Sequence, residues 1–106
     1  EYPEIKKIYV TESGAAFPDK LVQGRVSDPE RQKYLHDYMD ATLRAAQKSS
    51  KIQGYFVWSF MDNFEWAEGY RPRFGIVYVD YPEQQRYPKD SAFMIRDFLA
   101  GKEISF

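Results

Sequence analysis

Gly54-Tyr55-Phe56-Val57-Trp58-Ser59-Phe60 is a nearly continuous run of aromatic and β-branched residues. Such residues favour extended backbone, and a strand with one wet face would alternate apolar with polar. The missing alternation predicts a strand over residues 54–60 buried on both faces, as in a parallel sheet covered by helices. Upstream, Leu35, Tyr38, Met39, Leu43 and Ala46 recur at helical spacing and form one apolar stripe, with Arg31, Lys33, Asp37, Asp40 and Arg44 mostly off it. Two starts are open: Ser27 as N-cap with Glu30 in a capping box, or Asp28 as N-cap with Pro29 in the first turn. The helix is expected to end near residues 48–50.

Farther upstream, Ile8, Tyr9 and Val10 make residues 5–11 a short strand. It runs into Glu12-Ser13-Gly14, where glycine permits a sharp turn. Residues 15–24 read as a loop punctuated by Pro18, Asp19 and Gly24. Downstream, residues 61–74 are a mixed aromatic and acidic loop. Residues 76–80 form a β-rich run, broken by Tyr81-Pro82 before a return through Arg86 and Tyr87. Asp90 or Ser91 opens a last helix, with Phe93, Phe98 and Leu99 as packing residues and Gly101 as its stop. The order is strand, helix, strand, hairpin, helix, an α/β arrangement. Two parallel strands joined by a helix form a right-handed βαβ unit. Alone it would expose sheet edges and an apolar face, so it reads as a piece of a larger fold, a single partial domain over residues 1–106.

The composition narrows the function. The 106 residues are 43% hydrophobic and 29% charged with a net charge of −1, which argues against a nucleic-acid partner. No apolar run is long enough to cross a bilayer and no signal-like segment opens the chain, so no membrane partner is expected. There is no cysteine, which excludes disulfides and thiolate chemistry and fits a cytoplasmic location. One histidine, His36, leaves little for a histidine-based metal site. Aromatic residues make up 18%, concentrated between Tyr55 and Tyr81.

Two places could carry chemistry. Glu12 stands at the end of the first strand, where parallel α/β barrels collect their catalytic groups. It could serve as nucleophile, base or metal ligand, and Thr-Glu-Ser-Gly alone does not separate these from a solvated structural glutamate. The second place is Trp58-Ser59-Phe60-Met61-Asp62-Asn63-Phe64-Glu65-Trp66-Ala67-Glu68-Gly69-Tyr70. Sugars present apolar C–H faces and rings of hydroxyls, so their sites pair an aromatic platform with bidentate acceptors. Trp58 offers a stacking face, Glu65 can accept from two adjacent hydroxyls, and the Trp66 indole can donate. Both tryptophans could instead belong to the core, each needing a partner for its N–H.

These motifs resemble glycoside hydrolase family 1. Tyr9-Val10-Thr11-Glu12-Ser13-Gly14-Ala15-Ala16-Phe17-Pro18-Asp19 is similar to that family's nucleophile motif, whose core is Thr-Glu-Asn-Gly. Gly54 through Ser59 and Glu65 through Tyr70 match its second signature. Arg73-Phe74-Gly75-Ile76-Val77-Tyr78-Val79-Asp80-Tyr81 and Lys89-Asp90-Ser91-Ala92 continue the match in order. The resemblance implies the C-terminal βαβα part of a (β/α)8 barrel, strands seven and eight with their helices. It implies retaining hydrolysis of β-glycosides of the β-glucosidase type, without a cofactor or metal. Glu12 would be the nucleophile, Trp58 the platform under the glycone, and Glu65 and Trp66 partners of its hydroxyls. Phe74 would line the same pocket. Glu65 would favour a neutral sugar, since a carboxylate repels phosphate.

Three features depart from the family pattern. Position 13 is Ser in place of Asn; by strand alternation Ser13 faces away from Glu12, so the change would touch the turn more than the nucleophile. Met94-Ile95 replaces an aromatic pair of the last helix. The family's acid/base motif, Thr-x-Asn-Glu-Pro, does not occur, although a retaining enzyme needs two carboxyls about 5–5.5 Å apart. A barrel of this class needs about 250 residues. Activity is therefore expected to require an N-terminal barrel fragment or self-association, and the alternative is a non-catalytic sugar-binding or self-associating module.

Overall fold

A computed structural model of the chain describes residues 2–105. Its elements are β1 (Ile8–Ser13), the short pair β2 (Leu21–Val22) and β3 (Arg25–Val26), and α1 (Pro29–Lys48). They continue with β4 (Ile52–Val57), β5 (Val77–Asp80), β6 (Gln85–Pro88) and α2 (Asp90–Leu99). β1 and β4 pair in parallel across the α1 crossover, and β5–β6 is an antiparallel hairpin. The α/β order read from the sequence therefore holds. Among the described residues no closed barrel forms.

The differences have local causes. β1 begins later than expected and runs through Glu12 and Ser13. Its register with β4 steps from Val10↔Tyr55 to Ser13↔Val57, three residues against two, which puts a bulge at Thr11 and Glu12. β4 is displaced toward the N-terminus and stops at Val57, just before a cis Trp58–Ser59 peptide bond. The β2–β3 hairpin falls partly within the expected loop, turning through Gln23 and Gly24, both at positive φ. Helix α1 takes the second of the two predicted starts, with Asp28 at the N-cap and Pro29 next, but the Asp28 side chain makes no cap hydrogen bond. That carboxylate is engaged elsewhere.

The core lies between the two helices and one face of β4. Leu35, Met39 and Met94 are buried there, with Tyr34, Tyr55, Val57, Ile95 and Phe98 against them. Of the expected α1 stripe, Tyr38 and Leu43 are about half exposed. In α2 the buried apolar position is Met94, one helical turn before Phe98, so Phe93 and Leu99 fall off the packed face and are exposed. Met94 and Ile95 both pack in this core. β4 is not buried on both faces. Phe56 is 56% and Phe60 68% exposed, because both helices lie on the side of Tyr55 and Val57.

A buried ion network joins the loops. The Lys89 ammonium, 0% exposed, donates to Asp19 at 2.6 Å and to Asp62 at 2.8 Å. Arg31, one of the charged residues expected mostly off the apolar stripe, is 1% exposed and forks onto both Asp19 oxygens at 2.8 Å while donating to Asp28. Arg73 donates to Asp62 at 2.6 Å, and its own carbonyl accepts from Arg31. Asp28 also accepts from the Ser91 backbone and hydroxyl, tying the start of α1 to the start of α2. Three acids face three bases, so the charges balance. Burying them is costly, and removing one partner costs more because it strands the others.

Burial pushes the Asp28 carboxyl above the usual carboxylate range, against the hydrogen bonds from Ser91 and Arg31 that favour its charged form.

Lys89→Met should lower stability by about 3–5 kcal/mol, since Asp19 and Asp62 lose their shared cation. Arg44→Ala, which loses only the exposed pair with Asp40, should cost about 0.5 kcal/mol or less. Urea unfolding of the two variants measures the contrast. Because the Asp28 pKa is raised on folding, its contribution is fully present below the unfolded pKa and is lost as pH rises through the folded value. Asp28→Asn, which resembles the neutral acid, should therefore lose less stability relative to the parent at about pH 7 than at about pH 4. A difference in urea midpoints that does not shrink with rising pH would contradict this.

Candidate active site

The ends of β1 and β4 meet where the sequence placed its chemistry. Glu12 is exposed within the bulge of β1, and Ser13 next to it is buried. Bulges re-aim side chains and are common beside active sites. The Ser13 hydroxyl accepts from the Tyr55 phenol at 2.5 Å, so Ser13 belongs to the helix-covered side and Glu12 to the open side. Burial pushes the Tyr55 phenol up despite this bond to Ser13.

Trp58 continues the parallel ladder, its backbone N–H donating to the Ser13 carbonyl at 2.9 Å. Gly14 is needed for this approach: a Cβ there would sit 1.7 Å from the Trp58 carbonyl oxygen. Its φ is not among the positive ones, so close packing is the reason for this glycine, in place of the expected freedom to turn. Ser59 N–H donates to the Phe74 carbonyl at 3.1 Å, which fixes Phe74 beside the end of β4. Glu65 is partly buried in the loop that follows β4. Its backbone N–H donates to Gly69 at 2.7 Å, and its Oε2 accepts from Asn63 Nδ2 at 2.8 Å. Trp66 follows at φ +50° in the 3-10 turn Trp66–Glu68, and its side chain is 84% exposed.

Backbone pairing thus brings Glu12, Trp58 and Phe74 to one rim, and Asn63 links Glu65 to it. Trp66 stands open to solvent at the far end of the loop. An exposed carboxylate on a backbone that pairs with the segments carrying an indole and a phenyl ring could act on or bind a ligand with hydroxyls and an apolar face. A cavity of about 310 Å³ between α1, β4 and α2, lined by residues such as Met39, Tyr55 and Phe98, includes none of these five residues. The contacts of Ser59 and Asn63 and the burial of Asp19 and Asp62 carry no signal in the sequence. Asp19 and Lys89 lie in matched stretches, but a charge in a loop carries no mark of burial until its partners, 70 residues apart, are placed.

A parallel β–α–β unit with acids and aromatic residues near the strand ends is consistent with a piece of a parallel α/β barrel, which collects its functional groups at those ends. The chain belongs to glycosyl hydrolase family 1, whose sequence profile matches residues 1–104. It is 52% identical over 101 residues to the 1,4-beta-D-glucan glucohydrolase of Thermotoga neapolitana, covering 94% of the chain and 23% of the relative. It is 41% identical over 105 residues to the 6-phospho-beta-galactosidase of Streptococcus equi subsp. zooepidemicus, covering 99% and 22%. The solved psychrophilic beta-glucosidase from Micrococcus antarcticus superposes with a TM-score of 0.90 at 42% identity, over 98% of this chain and 22% of that one. The chain spans less than a quarter of the length of these relatives. No described helix is long and apolar enough to cross a membrane.

Gly14→Ala should cost about 1–3 kcal/mol or more by overpacking and break the Trp58–Ser13 bond. The check is hydrogen exchange: the Trp58 amide should lose protection, and an unchanged amide would contradict the role given to Gly14.

Proposed function

We propose that the chain is the nucleophile-bearing part of a retaining β-glycosidase, a single partial domain supplying strands seven and eight of a (β/α)8 barrel. The observation that carries this reading is the exposed Glu12, bulged out at the end of a parallel strand and held beside Trp58 by the Trp58–Ser13 hydrogen bond. Ionised Glu12 attacks the anomeric carbon. The bond from that carbon to the aglycone oxygen breaks as an acid from another part of the barrel protonates that oxygen. Water then attacks the same carbon, giving its proton to the conjugate base of that acid, frees Glu12, and leaves the sugar with its configuration retained. Trp58 stacks under the glycone and Phe74 lines its pocket. Glu65 binds the hydroxyls farthest from the reacting carbon, and Trp66 a neighbouring one. Glu65 selects a neutral sugar, since a carboxylate at that end disfavours a 6-phosphate. The likeness to the glucan glucohydrolase supports this choice over the phosphorylated substrate class named for the galactosidase relatives.

The exposed Phe56 on the open side of the β1–β4 sheet, with Phe60 exposed just beyond its end, favours a second requirement, that the chain works only once this side is covered, by the remaining barrel or by copies of itself. Without the acid partner it is inactive.

In the complete barrel, Glu12→Gln should abolish hydrolysis of an aryl β-glucoside while leaving the circular dichroism and melting temperature close to those of the parent. Turnover at the parental rate would refute the role of Glu12.

A further inference from the structure

Ser59 and Asn63 form a relay between the platform strand and Glu65. Ser59 is buried, at 6% exposure, directly after Trp58, and its backbone N–H is fixed by the Phe74 carbonyl. Its hydroxyl donates toward the Met61 carbonyl at 3.0 Å and Asn63 Oδ1 at 3.2 Å. Asn63 Nδ2 then donates to the Phe64 carbonyl at 3.0 Å and to Glu65 Oε2 at 2.8 Å. The amide can face only one way. Reversed, its oxygen would stand against the Phe64 carbonyl and the Glu65 carboxylate, which are both acceptors.

We propose that Asn63 is a positioning residue for glycone recognition: it holds Oε2 of Glu65 so that the remaining carboxylate lone pairs face the sugar. This rests on the reading of Glu65 as a glycone ligand. A free glutamate has three rotatable bonds and must lose that freedom on binding, whereas a carboxylate already held by one N–H is set in place. Each carboxylate has about four acceptor sites, so one bond to Asn63 leaves capacity for two adjacent hydroxyls. The hydrogen bond to a charged acceptor is also of the stronger kind.

The test is made in the complete barrel with two substrates, an aryl β-glucoside and an aryl β-xyloside, whose sugar lacks the hydroxymethyl group. Asn63→Ala should lower kcat/KM on the glucoside by about tenfold, mainly through KM, and on the xyloside by less than about threefold. Asn63→Asp has nearly the same shape but replaces the donor with a charge facing Glu65, so at neutral pH it should do more harm on the glucoside than Asn63→Ala. A structural role would produce the opposite order, with the isosteric change milder, and equal losses on both substrates. Either of those results overturns the proposal. Glu65→Gln serves as the control. A glucoside-selective loss in Glu65→Gln with none in the Asn63 variants removes the positioning role alone. If no variant is selective, the role of Glu65 itself falls and the positioning role with it.

Discussion

The Lys89 ammonium, fully buried between Asp19 and Asp62, is the contact on which the arrangement of the loops depends. Asp19 lies in the loop after β1, which carries Glu12, and Asp62 in the loop after β4, which leads to Glu65. One cation therefore joins the two segments that hold the candidate chemistry. Arg31 locks Asp19 to the start of α1, and Arg73 locks Asp62 to the segment carrying Phe74. Asp62 further accepts from the backbone N–H groups of Gly75 and Val79, at 3.0 and 3.3 Å. Gly75 has no room for a Cβ, which would come within 2.3 Å of the Asp62 nitrogen. Buried charges of this kind add little net stability over an apolar core, but once they are in place the loss of any one partner strands the others.

That network explains what could and could not be read from the sequence. The parallel pair and its crossover helix were legible because local patterns specify them: the apolar run of β4, and Leu35 with Met39 at helical spacing. Glu12, Trp58, Glu65, Trp66 and Phe74 were named from motifs, and pairing between strand ends brings Glu12, Trp58 and Phe74 to a shared rim. The bulge at Thr11 and Glu12 was invisible, because it depends on register against β4 and not on composition. Arg31 stands one and two turns before Leu35 and Met39 on the buried side of α1, but a charged residue carries no mark of burial; Asp19, distant along the chain, makes it internal. Phe56 and Phe60 were read as buried because their composition is that of a strand covered on both sides. Within this chain only one side of β4 is covered.

That open side has a functional meaning. Strand residues alternate, so the face turned from the helices carries Phe56 and Trp58, and the bulge turns Glu12 the same way. The exposed apolar rings and the candidate nucleophile therefore share the side of the sheet that the helices leave uncovered. In a closed barrel the alternate residues fill the interior while the strand ends carry the chemistry. The same residues thus account for incomplete packing in this chain and make up the candidate site.

Trapping the covalent intermediate tests the central claim most directly. The complete barrel would be incubated with a 2-deoxy-2-fluoro β-glucoside bearing a good leaving group, digested, and its peptides examined by mass spectrometry. A glycosyl adduct on the Glu12 side chain is the predicted result. An adduct on another carboxylate, or inactivation with Glu12 unmodified, would contradict the assignment.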